Sequence, residues 1–393
     1  MNLTLESTLS LVDLEIRQDK KHYIVEDNHT GEFYEMPKVC IDAIELIKNG
    51  KGLAEIEQIL KTSYPNEDVE IIPFVEQLVE FGLVKEIDGK IVTTSQKNKS
   101  PNAFNWISAN FASFFFNKIS NKIYLFLLFI NIGFILLHPE LLPHYQDIFI
   151  FDSMIANMLT YTGISLILIL IHEFGHILAI RSYNLPTKLD IGNRLFLIVF
   201  ETDLTPAWKL APRQRNPLYF AGMSFEQVIL FIAFSLTLLI GDSNPLLFGL
   251  LGIIIFDIFV KTIYQFSFFM KTDIYFIIEN ITGSYNLMES GKNYLSKWLP
   301  FIKQDTTTTI YKDELSAIRL YSVFYVIGMV LITCLFALYF LPQMIAIFAH
   351  IWKYLWTPSS PYFWDAIVLL GLSILMIGLL IYAKFRSIRD RAA

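Results

Sequence analysis

Two cysteines in 393 residues, Cys40 and Cys334, are too few and too far apart for a disulfide framework or a thiolate zinc site. Charge is also scarce. Only 17% of residues are Asp, Glu, Lys or Arg, against about 25% in ordinary soluble domains. Histidine occurs seven times. The opening residues, Met1 to Glu6, lack a basic stretch followed by an apolar core, so no cleavable signal peptide is expected. No internal repeat is visible, and no low-complexity tract beyond Thr306–Thr309.

What fills the chain is apolar: 54% of residues are hydrophobic and the mean hydropathy is +0.46. The first 100 residues carry 11 basic and 19 acidic side chains, a net of −8, and the remaining 293 carry 20 and 18, a net of +2. This shift puts a domain boundary near Ser95–Pro101. Runs long enough to span a bilayer occur near Ile123–Leu137, Met154–Ile180, Leu218–Ile240, Leu246–Met270, Leu320–Leu341 and Trp364–Ala383. Phe104–Phe116 reads as an interfacial helix, or as an extension of the first span. Connections 138–153 and 241–245 hold no Lys or Arg, and 342–363 holds only Lys353. The other side holds Arg181, Lys188, Arg194, Lys209, Arg213, Arg215, Lys292, Lys297, Lys303, Lys312 and the basic C-terminus. The fold expected is a multi-span α-helical membrane protein of about six spans, with both termini in the cytoplasm.

His172-Glu173-Phe174-Gly175-His176 lies within the apolar run Ile164–Ile180. Histidines at i and i+4 share a helix face and can grip one metal ion, with the intervening Glu placed to take a proton from water. Polar side chains at hydrocarbon depth are costly and need partners, so the cluster reads as a catalytic centre before it reads as a helix–helix contact. His176 precedes Arg181 by five residues, which puts the centre within roughly 10 Å of the cytoplasmic edge. A catalytic zinc usually takes three protein ligands. Asp273, just after the inward-running fourth span, is the expected third, with a helix cap as its other possible role. Asp257 reads as an ion pair with Lys261, four residues on. Glu201, Asp203 and Glu226 are further acidic candidates. The strand-like run Leu195–Phe200 is an edge on which an extended peptide could pair.

Over Met154–Asn280 the chain resembles the site-2 protease family of intramembrane zinc metalloproteases. That family carries a second motif of the form N-x-x-P-x-x-x-x-D-G, whose Asp is the third zinc ligand. Here Gln265, Phe268, Asp273 and Ile274 occupy those places, so only the Asp is kept; Tyr275, which follows, is also common in relatives. The family's A-G-P-x-x-N stretch reads Ala221-Gly222-Met223-Ser224-Phe225-Glu226, with Ala-Gly kept. The resemblance implies zinc (Zn2+) on His172, His176 and Asp273, with Glu173 as general base and acid. It also implies substrate contacts at Gly222, Glu226 and Gln265. Gly175 fits close helix packing or substrate approach.

Residues 1–98 read as a small α/β domain. Strands His22–Val25 and Glu32–Met36 precede helices Lys38–Lys48, Leu53–Ser63 and Val69–Phe81. A hairpin, Gly82–Ile87 with Lys90–Val92, turns at Asp88-Gly89. Three helices and a hairpin make a winged-helix-like pattern, but the −8 charge is the wrong sign for nucleic acid. The layout resembles the PqqD-like domains that bind the leader of a ribosomally made precursor. Residues 99–122 would be a linker with the interfacial helix, and 123–393 the membrane-embedded domain. Together these features resemble epipeptide-type maturation proteases of the bacterial cell membrane. The implied substrate is a precursor peptide and the implied partner an ABC-type exporter. A regulatory protease releasing a tethered factor and an inactive peptide-binding scaffold are the alternatives.

Overall fold

The computed structural model describes residues 3–20, 22–92, 104–194, 197–284, 286–299, 314–375 and 378. The boundary stretch Ser95–Pro101, Leu195 and Phe196, Thr306–Thr309, Lys303, Lys312, the basic C-terminus and most of the expected sixth span beyond Leu375 lie outside them. The chain is mostly helical and divides into two compact units. One comprises Met1–Ala103, Leu204–Arg215 and Asn280–Ser284, and the other the remainder.

The first unit has strands β1 (Leu9–Leu11), β2 (Leu14–Asp19), β3 (His22–Asp27) and β4 (Phe33–Met36). Helices α1 (Lys38–Lys48), α2 (Leu53–Ser63) and α3 (Ile71–Glu80) follow, then β5 (Val84–Ile87) and β6 (Lys90–Ile91). Two antiparallel three-stranded sheets result, ordered β1-β5-β6 and β2-β3-β4. The helices each bury one apolar face, and Ile44, Ile56, Val75, Leu78, Leu83 and Val84 form a core almost without exposure. Asp88 and Gly89 have φ of 51° and 73°, the paired positive values that a tight hairpin turn demands and that Asp-Gly supplies cheaply. Strands β1 and β2 were not expected. β1 is three residues long and is defined by pairing with β5, across more than seventy residues of chain, so no local pattern announces it.

The same unit clasps two segments from later in the chain. Arg215 pairs with Asp19 at 2.5 Å, both side chains 2% exposed, and lies 4.4 Å over the Trp208 ring. Lys209 reaches Glu26 at 2.6 Å. Arg17 donates to Trp208 O at 2.6 Å, and Lys20 donates to the carbonyls of Asn280 and Ile281.

Among the described residues the second unit holds five helices long and apolar enough to cross a membrane: Ala109–Leu137, Met154–Arg181, Ala221–Ile240, Pro245–Gln265 and Leu315–Leu355. The first breaks into α4 (Ala109–Phe115) and α5 (Lys118–Leu137), with Ser108 capping the former and an Asn117/Ser120 capping box starting the latter. α6 (Met154–Arg181) is capped by Ser153 and α9 (Pro245–Gln265) by Asn244, with Pro245 in its first turn. Between α6 and α9 come β7 (Leu189–Arg194), β8 (Leu197–Thr202), α7 (Pro212–Tyr219) and α8 (Ala221–Ile240). α10 (Asp273–Thr282) and α11 (Leu287–Leu295) follow α9. α12 (Leu315–Leu335) runs through a π-helical turn, Phe336–Phe340, into α13 (Leu341–Leu355). Side chains such as Phe129, Leu159, Ile167, Leu239 and Leu338 stand exposed on these helices, as lipid-facing side chains do.

Several boundaries differ from expectation. The third apolar run is two helices, α7 and α8, because Pro217 and the polar segment before Leu218 start a separate turn. The fourth stops at Gln265 instead of Met270, where Phe266–Thr272 make a non-helical reversal. The fifth continues through the π turn, Phe336–Phe340, and past Pro342 to Leu355. Of the sixth, the described part is a shorter apolar helix, Phe363–Leu375. Arg181 and Arg215, counted above as cytoplasmic markers, are 5% and 1% exposed. Arg181 spends its guanidinium on the carbonyls of Ile107 and Leu185, so neither is a plain loop charge.

Candidate metal centre

α6, α8 and α9 pack through Leu168, Leu230, Phe234, Leu251, Ile255 and Ile258. Two glycines bring α6 and α8 close. A Cβ at Gly175 would stand 2.6 Å from Ala221 O, and one at Gly222 would stand 2.3 Å from His172 Nε2. Gly222 is therefore the space into which the His172 ring fits. One turn on, Glu226, 1% exposed, faces the same ring: His172 Nδ1 lies 3.0 Å from Glu226 Oε1. His176 Nδ1 lies 2.9 Å from Leu218 O, a pure acceptor, and so donates to it.

Asp273 arrives from the other side because α9 ends where it does. Gln265, its last residue, brackets the Asp: Asp273 N donates to Gln265 Oε1 at 3.0 Å, and Gln265 Nε2 donates to Asp273 Oδ2 at 3.1 Å. Thr272 Oγ1 also donates to Gln265 O at 2.7 Å. Asp273 Oδ2 then lies 3.0 Å from His172 Nε2 and 3.4 Å from His176 Nε2, and the two Nε2 atoms are 3.2 Å apart.

With both Nδ1 atoms donating outward, both Nε2 atoms present lone pairs to each other and to a carboxylate oxygen. Three acceptors turned on one point repel unless protons or a cation sit among them. Tetrahedral zinc, with bonds of about 2.0–2.1 Å, holds its donors roughly 3.3 Å apart, close to the separations found. Histidines that anchor Nδ1 on a carboxylate and on a backbone carbonyl have the partners that zinc ligands ordinarily have. The donor set therefore fits zinc.

Glu173, on the same helix, lines a cavity of about 510 Å³ with His172, Glu226, Gln265 and Asp273. Its Oε2 accepts from Thr202 N and Thr202 Oγ1, both at 2.8 Å. The remaining wall includes Tyr161, Ser165, Phe200, Lys261 and Tyr264. Asp257 and Lys261 pair at 2.5 Å, and Lys261 also donates to Ser165 O at 3.2 Å.

The structure thus brings His172, His176 and Asp273 together as the one group of potential metal ligands among the described residues. Gly222, Glu226 and Gln265 make their observed contacts with those ligand side chains. Glu201 and Asp203 lie in and just after β8, where Glu201 fills space that Gly192 leaves free. Thr202 was not singled out from the sequence: a Thr ending an apolar strand carries no signal of its target. Comparison with family models, curated proteins and solved structures found nothing similar to this chain.

Proposed function

We propose that the chain is a membrane-embedded zinc peptidase, with His172, His176 and Asp273 as ligands and Glu173 as general base and acid. The observation that carries this is the convergence of three acceptor atoms, each separately anchored, beside a carboxylate that lines the same cavity. Bound there, zinc would supply a Lewis acid that polarises a carbonyl and acidifies water. Glu173 would take the proton and pass it to the leaving amine. Glu226, Leu218 O and Gln265 hold the ligand side chains in register.

An extended peptide has a place to lie. Asp203 N donates to Lys188 O at 2.9 Å, which makes Asp203–Lys188, Glu201–Asp190 and Val199–Gly192 the hydrogen-bonded pairs of the hairpin. The backbone groups of Ile198, Phe200 and Thr202 therefore point away from β7. Thr202 N–H meets Glu173, and Phe200 lines the cavity. A peptide added along this edge would expose its carbonyls, which a helix hides.

The first unit, acidic and winged-helix-like in its order of elements, fits recognition of a basic leader. The substrate we propose is a ribosomally made precursor, cut near the cytoplasmic face of a bacterial membrane with both termini inside, before handover to an ABC-type exporter. Purified protein should hold about one zinc per chain, lost in His172→Ala and Asp273→Ala. Glu173→Gln should keep the metal and lose cleavage. Metal-free protein overturns the proposal, and unaltered processing by Glu173→Gln leaves a peptide-binding scaffold.

A further inference from the structure

Among the described residues, Glu173's side chain is held by one residue. Thr202 N and Oγ1 both lie 2.8 Å from Glu173 Oε2, and Oγ1 is 3.2 Å from the Glu173 carbonyl. A hydroxyl has one proton, and the shorter, charge-assisted contact to Oε2 takes it. Oε1 makes no hydrogen bond among the described residues. A glutamate beside a cavity of about 510 Å³ would otherwise sample several rotamers. Two donors on one oxygen select one of them and leave the second oxygen for proton transfer.

Resting on the peptidase proposal, we infer that Thr202 is the positioning residue for Glu173. The backbone N–H fixes where Oε2 sits, and the hydroxyl fixes the direction from which the carboxylate approaches. The position of Thr202 in β8 gives this a further consequence. It is the last residue of the strand whose backbone points away from β7. A peptide seated against Ile198 and Phe200 therefore ends where the base begins, and one strand sets both the seat of the peptide and the aim of the base.

The test uses the full chain in detergent micelles, loaded with zinc, with fluorescein-labelled casein as probe. Thr202→Val keeps the shape and the N–H but removes the hydroxyl; Thr202→Ser keeps the hydroxyl. Thr202→Val should lower kcat by about 10- to 100-fold, leave KM within about threefold and move the acid limb of the pH profile. Thr202→Ser should stay within about threefold of the parent, and both should keep the parent's zinc content. Parent-like kcat and pH profile in Thr202→Val, with Glu173→Gln inert, would overturn the inference alone. So would a Thr202→Ser as impaired as Thr202→Val, which would mark a packing role. Parent-like cleavage by Glu173→Gln would overturn the peptidase proposal and this inference with it. A second measurement needs no turnover: binding of a peptidyl hydroxamate, whose acidic proton Glu173 would accept. Its Kd should rise about tenfold in Thr202→Val and not in Thr202→Ser; an unchanged Kd in Thr202→Val overturns the inference.

Discussion

Two buried clusters of charge in this molecule are built on opposite principles. In the first unit Asp19 meets Arg215, one anion to one cation at 2.5 Å, with the guanidinium also serving Leu210 O and Trp208 O. In the second, two carboxylates, Glu226 and Asp273, surround two imidazoles. The nearest lysine along the cavity, Lys261, is already paired with Asp257. The Asp19–Arg215 and Asp257–Lys261 pairs each set one anion against one cation. The histidine cluster has acceptors left over. Burial makes an unbalanced cluster expensive, and the cation of the proposed peptidase would supply the balance that the ion pairs already have.

The largest expected effect breaks the unbalanced cluster. Asp273→Ala should weaken zinc binding by at least about 100-fold, measured by competition with a chelator. Adding His172→Leu should not restore binding, because nothing in the cluster balances without the ion. The balanced pair should behave in the opposite way. Arg215→Leu should cost about 3–5 kcal/mol in unfolding, since it removes the cation paired with the buried Asp19 carboxylate. Adding Asp19→Ala should recover roughly half of that or more, read by thermal unfolding in detergent. If the single and double variants melt together, the charges of Asp19 and Arg215 do not balance one another.

Much of the fold was legible in local pattern, and the rest was not for identifiable reasons. The long apolar runs announced the long helices, but the caps that fix their starts, Ser108, Asn117, Ser153 and Asn244, were not read from the sequence. The i,i+4 spacing of His172 and His176 was legible because a helix turns every 3.6 residues, and Asp257–Lys261 for the same reason. Asp273 could be placed near the two histidines by topology alone. What it needed was the reversal after Gln265, and that reversal depends on side chain to backbone bonds that no spacing encodes. Glu226 and Gln265 entered as substrate contacts implied by the family resemblance, Glu226 also as an acidic candidate. Their contacts with His172 and Asp273 depend on the approach of α8, which Gly175 and Gly222 permit through packing. β1, Thr202 and the burial of Arg215 all depend on partners distant in sequence.

A third acid sharpens the comparison through pH. Burial pushes the Glu279 carboxyl up to about 7, against the bonds from Tyr275 and Asn286 that favour its charge. The folded chain therefore holds this proton more tightly than the unfolded chain. The stability it contributes is full below about pH 4.5, the ordinary carboxyl value, and is lost as the pH rises to and through about 7. The loss is about 3 kcal/mol. The difference in melting between the parent and Glu279→Gln should accordingly change sign or shrink between pH 5 and pH 8. A pH-independent difference would show that Glu279 is ionised throughout.

The smallest effect is the most discriminating. Glu226 touches no point where the donors converge; it touches only His172 Nδ1. If the cluster is held by a cation, Glu226 acts by fixing the ring and raising its basicity. Glu226→Ala should then weaken zinc binding by about 10- to 100-fold, or about 1.4–2.7 kcal/mol. Glu226→Gln keeps an acceptor for Nδ1 and should lose less. Protons in place of a cation would give a different order: removing either carboxylate would relieve burial of charge, and both Glu226 variants would be more stable than the parent whatever the metal. Zinc titration and melting of the same three proteins, with and without chelator, separate the two. Chelator should lower the parent's melting temperature more than that of Glu226→Ala, because a ligand stabilises the folded chain in proportion to how tightly it binds.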